Sequence, residues 1–378
     1  MLVLLAVVLA LTGCVSRPPE SKAIRALTPT EAVDLQNAAL TPASMTQRIA
    51  SGERVGASGT LSILALSGGG SDGAYGVGVL NGWTKTGTRP EFDIVTGVST
   101  GALMSVFAFL GPHYDAKLRQ LYISQEDSDI FVKRGLGGVL GDSLLDNTPL
   151  KRQIEKHITS AVLAEVAQQH AIGRRLYVAT TNLDASKSVV WDMGLLASGA
   201  GPGRTNSLQM FQKVLRASAA IPVLFPPVYI KPKRGVQLRQ AHVDGAVKAP
   251  VLLSDFIFKR PAERRELYVI INGSLAQENS FQAVAPNLMD IASMSVSGLL
   301  SELTHQVVYR GYVRARNSGT AFRITAIPDS VPVATDPLAF DQKRLRMLYA
   351  LGEQSAQQPG FWWTAPPTLR KYDRVAAR

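Results

Sequence analysis

Leu64-Ala65-Leu66-Ser67-Gly68-Gly69-Gly70-Ser71-Asp72-Gly73 is an apolar run that breaks into glycines. About thirty residues later the pattern returns as Gly97-Val98-Ser99-Thr100-Gly101, after Phe92-Asp93-Ile94-Val95-Thr96 and before another apolar stretch. The second site is a G-x-S-x-G nucleophile elbow. A serine on a sharp strand-to-helix turn needs glycine two residues before and two after it, because side chains there collide with neighbouring backbone. The first site offers backbone N–H groups unobstructed by side chains, as an oxyanion hole requires. Together they point to serine-based acyl transfer on an α/β fold.

Composition sets the frame. The chain has 378 residues, 46% hydrophobic and 18% charged, enough for a large core. Its net charge of +11 favours anionic surfaces, either phospholipid or nucleic acid. No zinc finger, nucleic-acid motif or aromatic-basic platform supports nucleic acid. Residues 1–11 are apolar and lead into Leu11-Thr12-Gly13-Cys14. That run is too short to span a bilayer, which takes about 20 residues, and suits a signal-peptide core. Small residues running into cysteine resemble a bacterial lipobox, although no Lys or Arg precedes the apolar run. Cys14 is the only cysteine, so no internal disulfide forms and the thiol is free for acylation. The expectation is a signal peptide over 1–13, a tether over 14–58, a catalytic domain over 59–360 and a tail over 361–378. The protein would be lipid-anchored in a bacterial envelope, at the outer membrane and facing the periplasm.

Strands are predicted at 60–67, 92–97, 175–181, 188–193, 266–271 and 321–327. The first is a nearly unbroken apolar run, as in buried parallel strands. Helices are predicted at 74–85, 100–110, 290–316 and 341–357. A further helix begins at Thr148, as cap, with Pro149 in its first turn and a stripe of Leu150, Ile154, Ile158 and Val162. Strands alternating with helices argue for a mostly parallel sheet covered on both faces. Glu126-Asp127-Ser128-Asp129 lacks EF-hand spacing and reads as a solvated turn, so no metal site is expected. Lys231-Pro232-Lys233-Arg234-Gly235, Lys259-Arg260 and Arg264-Arg265 read as exposed loops, or as a membrane-facing basic patch.

A rival reading exists. Gly68 to Gly73 also fits G-x-G-x-x-G after a strand, with Asp93 about 20 residues on where an acid would bind a ribose. But Asp93 stands at the start of its strand, not at the C-terminal end, and the fingerprint leaves Ser99 unexplained. A serine nucleophile needs a base. The histidines are His113, His157, His170, His242 and His305. Of these, only His305 lies well downstream as an α/β-hydrolase order demands. His242 precedes Asp244-Gly245, a tight turn able to present a carboxylate.

Four blocks carry a resemblance. Gly68-Gly69-Gly70-x-x-Gly73, Gly97-Val98-Ser99-Thr100-Gly101, Ala217-Ser218-Ala219-Ala220-Ile221-Pro222-Val223-Leu224-Phe225-Pro226-Pro227 and Asp244-Gly245-Ala246 occur in the order of patatin-like phospholipases. Asp146-x-Thr148-Pro149-Leu150 and Leu348-Tyr349-x-x-Gly352 resemble features of bacterial members. The resemblance covers roughly residues 60 to 360. It implies a three-layer α/β/α fold and a Ser-Asp dyad without catalytic histidine or cofactor. Ser99 would be the nucleophile and Asp244 the base. Gly68, Gly69 and Gly70 would form the oxyanion hole, with Gly73, Gly97, Gly101 and Gly245 supporting the turns. Substrates would be membrane phospholipids, lysophospholipids or related acyl esters. An acyltransferase on the same dyad and a non-catalytic envelope lipoprotein are the alternatives. Two positions depart from the pattern: Asp72 where Arg or Lys is usual, and Ala246 where glycine is common. The Asp72 reversal would weaken anionic head-group binding, or the side chain would simply face solvent.

Overall fold

The computed structural model describes residues 59–135, 141–199, 207–231, 239–258, 262–275, 283–331 and 338–367. The signal segment, Cys14, the tether, the basic runs at 232–238 and 259–261, and the chain from 368 onward lie outside the described residues.

In chain order the elements are β1 (Thr60–Leu66), α1 (Gly73–Lys85), β2 (Ile94–Gly97), α2 (Thr100–Leu110), α3 (Asp115–Ile123) and α4 (Asp127–Ile130). The short strands β3 (Val132–Lys133) and β4 (Leu145–Asp146) follow, then α5 (Thr148–His157), α6 (Ser160–Ala171), β5 (Arg175–Asn182), β6 (Lys187–Asp192), α7 (Met193–Ala197) and α8 (Ser207–Ser218). The chain continues through β7 (Val228–Ile230), β8 (Gln240–Asp244), β9 (Arg264–Ser274), α9 (Leu288–Asn317), β10 (Ala321–Ile327) and α10 (Gln342–Ser355).

The main sheet runs β10-β9-β1-β2-β5-β8-β7, with β6 also paired to β5. From β10 to β5 every pairing is parallel. Beyond β5 the sheet turns antiparallel, at β5–β6, β5–β8 and β7–β8. The expected mostly parallel sheet is therefore present, with one antiparallel flank that carries Asp244. Strand β1 explains why its sequence is unbroken apolar. Leu64 and Leu66 pack into the core on one face, while Leu61, Ile63 and Ala65 pack on the other. Successive side chains alternate faces, and both faces are covered. Helices α1, α2, α8 and α10 contribute to the first core; α9 and the turn Asp255–Phe258 contribute to the second. The layers are α/β/α. Each fully buried aliphatic side chain contributes roughly 1.5–3 kcal/mol, so β1 is a principal anchor of the fold.

Three local expectations change. The stripe Leu150, Ile154, Ile158 and Val162 is buried throughout, but it spans two helices that break at Ile158 and restart after a Thr159 cap. The cap of α5 is Asn147, not Thr148; Thr148 instead donates its N–H and hydroxyl to Asp146 Oδ1, at 2.9 and 2.7 Å. The packed unit also runs past residue 360. Trp363 exchanges backbone hydrogen bonds with Ile324 of β10, and Trp362 sits edge-on to Trp83 at 4.8 Å. Leu348-Tyr349-x-x-Gly352 has a packing role. The helices α1 and α10 press backbone to backbone, and a Cβ at Gly352 would lie 2.3 Å from the Tyr75 carbonyl oxygen.

Candidate active site

Buried β2 ends at Gly97 and buried α2 begins at Thr100. Ser99 turns the chain between them at φ 55, ψ −127. A positive φ is uncommon for a residue with a side chain and costs of order 1–3 kcal/mol. The glycines make the turn sterically feasible. A Cβ at Gly97 would lie 2.5 Å from the Gly101 carbonyl oxygen, and one at Gly101 2.4 Å from that of Ser67. Ser99 is 6% exposed and sits at the N-terminus of α2, where the helix dipole favours negative charge.

Asp244 arrives from the antiparallel flank. It closes β8, opposite Thr180 of β5. Its N–H donates to the Ala220 carbonyl at 2.8 Å. Its carboxylate accepts a hydrogen bond from the Ala246 N–H at 2.8 Å, and the Ser99 hydroxyl lies beside it and favours its charged form. Burial pushes its pKa up to about 7, although the Ser99 hydroxyl and the Ala246 N–H oppose the rise. Near neutral pH the carboxylate is thus poised to accept a proton. Gly245 is required by close approach, since a Cβ there would lie 2.4 Å from the Ala179 carbonyl oxygen.

The glycine loop caps this pair. Ser67 N–H donates to the Ile270 carbonyl at 3.1 Å and Gly68 N–H to the Pro250 carbonyl at 2.9 Å. The donor expected at Gly68 is therefore already committed, and the residue serves as a wall 3.2 Å, at its virtual Cβ, from Ser99 Cβ. Gly69 and Gly70, at φ 153 and 57, keep N–H groups that no described residue accepts. Asn272 of β9 braces the loop. Its N–H donates to Ser67 Oγ and its side-chain amide to the Ser67 carbonyl, both at 2.8 Å. Gly73 abuts Thr100 and Tyr122, which closes the loop onto α2 and α3.

Asp72 does not face solvent. It is 8% exposed and accepts from Arg344 Nη2 of α10 at 3.0 Å. Burial raises its carboxyl above the ordinary range while Arg344 opposes the rise. From Ser99 and Gly70 an apolar cavity opens between the helices, walled by Leu103, Phe107, Ile154, Leu215, Ile221 and Phe225. Such a lining suits a hydrocarbon chain.

The other candidates fall elsewhere. Asp93 accepts the Ser62 N–H at 2.8 Å at the start of β2, a strand-joining role rather than a ribose site. His242 bonds Thr180 Oγ1 through Nδ1 at 2.9 Å, and burial lowers its pKa to about 4, so it is neutral. His305 lies in α9 and makes no hydrogen bond to Ser99 or Asp244. Glu126 and Asp129 form the capping box of α4. Among the described residues no group of three or more His, Cys, Asp or Glu could hold a metal ion.

The family model described as patatin-like phospholipase matches residues 64–257, half of the chain. This chain belongs to the patatin-like phospholipase family. The match runs from β1 through the glycine loop, the elbow and Asp244 into the turn before β9. Among solved structures, VipD from Legionella pneumophila aligns with a TM-score of 0.40 and 11% identity, over 79% of this chain and 66% of its own. Human GIVD cytosolic phospholipase A2 in complex with methyl gamma-linolenyl fluorophosphonate aligns with a TM-score of 0.37 and 12% identity, over 93% of this chain and 64% of its own. The chain thus spans about two thirds of the length of either. A search of curated proteins finds no match.

In this patatin-like domain, two residues escaped functional reading from sequence. Asn272 carried no signal, being one polar residue at the end of an apolar strand. Ser218 lies in the Ala217–Pro227 block, but nothing local ties it to Ser99. Its Oγ accepts the Ser99 N–H at 3.0 Å and donates to the Ala179 carbonyl at 2.7 Å.

Proposed function

We propose that this chain is a serine lipid acyl hydrolase working through Ser99 and Asp244. The observation that carries the reading is the buried Ser99 hydroxyl beside the buried Asp244 carboxylate, at the head of an apolar cavity. Ser99 Oγ attacks the ester carbonyl while its proton passes to Asp244. The N–H groups of Gly69 and Gly70 receive the developing oxyanion. The tetrahedral intermediate collapses to an acyl-enzyme, and the departing alcohol takes the proton from Asp244. Water then gives a proton to Asp244 and attacks the acyl carbonyl, and as the fatty acid leaves Asp244 returns that proton to Ser99 Oγ. The acyl chain occupies the apolar cavity, so the substrates are phospholipids, lysophospholipids or related acyl esters.

The same reading extends to the cell. Acylation of Cys14 would hold the enzyme at the bacterial envelope, and its +11 charge would favour anionic lipid faces. No helix among the described residues is long and apolar enough to cross a membrane. The decisive assay presents a panel of phospholipid, lysophospholipid and neutral acyl esters to wild type and Ser99→Ala. Release of free fatty acid by wild type, at least about 10³-fold slower in the variant, supports the hydrolase. Acyl transfer to an added alcohol in preference to water would favour a transferase. Equal rates in both proteins would remove Ser99 from the chemistry.

A further inference from the structure

The turn that closes α8 touches both members of the dyad, and the substrate cavity as well. Ser218 is the last residue of α8 and is fully buried. A serine hydroxyl has one proton. Here it goes to the Ala179 carbonyl of β5, at 2.7 Å, so the oxygen can only accept from Ser99 N–H, at 3.0 Å. Two residues on, the Ala220 carbonyl accepts the Asp244 N–H at 2.8 Å. Between and beside these groups, Leu215, Ala219 and Ile221 form part of the cavity wall.

We propose that Ser218 is a positioning residue for acyl transfer: it ties the backbone of the nucleophile to β5 and to the turn that holds the base. The proposal rests on the Ser99–Asp244 reading and deepens it. Three physical points support it. First, Ser99 holds a positive φ, and a conformation of that kind persists only when its surroundings over-determine it. The Ser218 acceptor is a fixed, fully buried restraint at that strained residue. Second, the Ser99 N–H is committed to Ser218, so it is withdrawn from the oxyanion. That leaves stabilisation to Gly69 and Gly70 and makes the Ser218 bond a constraint on geometry. Third, Ala179 is itself packed against Gly245, where a virtual Cβ would lie 2.4 Å from the Ala179 oxygen. Nucleophile and base are therefore referenced to the same carbonyl group of β5. An acyl chain lying against Leu215, Ala219 and Ile221 bears on the turn that sets their spacing.

The test is Ser218→Ala, compared with wild type on a water-soluble p-nitrophenyl acyl ester and in Ser99 labelling by a fluorophosphonate. Ser99→Ala and Asp244→Asn serve as controls. The expected result is a folded protein with kcat lowered about 10- to 100-fold and KM within twofold. Labelling should slow by the same factor. The pH profile of kcat/KM should also move. The neighbouring Ser99 hydroxyl lowers the Asp244 pKa, so a loosened Ser99 lets that pKa rise and shifts the acid limb to higher pH. Unchanged kcat and an unchanged acid limb overturn the proposal. So does a loss of kcat without any movement of the acid limb, which a merely structural role would give. If Ser218→Ala fails to fold, Ser218→Thr keeps the acceptor oxygen, and it must retain the wild-type pH profile; a shifted profile there overturns the proposal too. An active Asp244→Asn control would instead sink the dyad reading itself, and the two failures are distinguishable.

Discussion

Ser99 and Asp244 end side by side, yet they are held there by different means. Ser99 is fixed chiefly by its immediate neighbours. Gly97 and Gly101 are the residues that the sharp turn requires, and the strand before and helix after are both close in sequence. Asp244 is fixed by residues distant in the chain. Its N–H is held by Ala220, its strand partner is Thr180, and the close packing behind Gly245 is against Ala179. The glycine loop is intermediate, with its own glycines at positive φ but its brace supplied by Asn272 from β9. The proposed nucleophile is thus a local construction, and the proposed base a tertiary one. The lesson is energetic as well. Strain at the elbow is contained by steric fit, whereas the uncharged-to-charged balance at Asp244 depends on desolvation by the whole core.

The hardest way to strain this contrast is Gly101→Val. Its Cβ would lie 2.4 and 2.5 Å from the carbonyl oxygens of Ser67 and Leu66, which are backbone and cannot rotate away. We expect at least about 3 kcal/mol of destabilisation and loss of detectable esterase activity. Chemical denaturation with activity measured in parallel checks both. Asp244→Asn should act in the opposite sense on stability. A carboxyl whose folded pKa is raised to about 7 from 3.8 binds protons more tightly in the folded state. Its contribution to stability is complete below pH 4 and is lost as pH rises through 7. The variant should therefore gain on wild type between pH 4 and 8, by a few kcal/mol at most, since a three-unit shift corresponds to about 4 kcal/mol. Melting temperatures taken across that range decide it; an identical pH dependence in both proteins contradicts the buried base.

Asn272→Ala removes the side-chain hydrogen bond to the Ser67 carbonyl while leaving the loop's glycines in place. The bond to Ser67 Oγ remains, since its donor is the backbone N–H of residue 272. We expect about a 10-fold fall in kcat and roughly 1–3 kcal/mol of stability lost, because the Ser67 carbonyl is left buried without its donor. Turnover at the wild-type rate would mean that the loop is set by its glycines alone, as local as the elbow. Asp72→Asn tests the least demanding contact. The Asp72–Arg344 pair is largely but not wholly buried, at 12% and 18% side-chain exposure. Weakening it should cost about 1 kcal/mol and change turnover less than threefold, measured by melting and by the soluble-ester assay.

What was legible in the sequence follows the same division. The elbow, the extents of β10 and α2, and the parallel half of the sheet depend on local periodicity and on glycine placement, and they stand where the sequence puts them. The break between α5 and α6 was hidden because the four-residue apolar stripe continues across it. Both helices bury the same stripe, so periodicity does not register the kink at Ile158. The Gly68 donor was misassigned because its acceptor, Pro250, is remote in sequence. Asp72 gave no hint of Arg344, and Ser218 gave none of Ser99, for the same reason. Contacts between elements far apart in the chain are settled only when the sheet order is known.

The central claim is that Asp244 activates Ser99 directly, without a histidine. It is tested most directly by the rate at which a fluorophosphonate labels Ser99, followed from pH 5 to 9 in wild type, Asp244→Asn and His305→Ala. The account predicts that wild-type labelling rises with pH through an apparent pKa near 7, the range to which burial moves Asp244. It predicts that Asp244→Asn labels at least about 10³-fold more slowly and without that inflection, while His305→Ala follows wild type within twofold. Rapid labelling of a folded Asp244→Asn, together with loss of labelling in a folded His305→Ala, would contradict it and restore a histidine as the base.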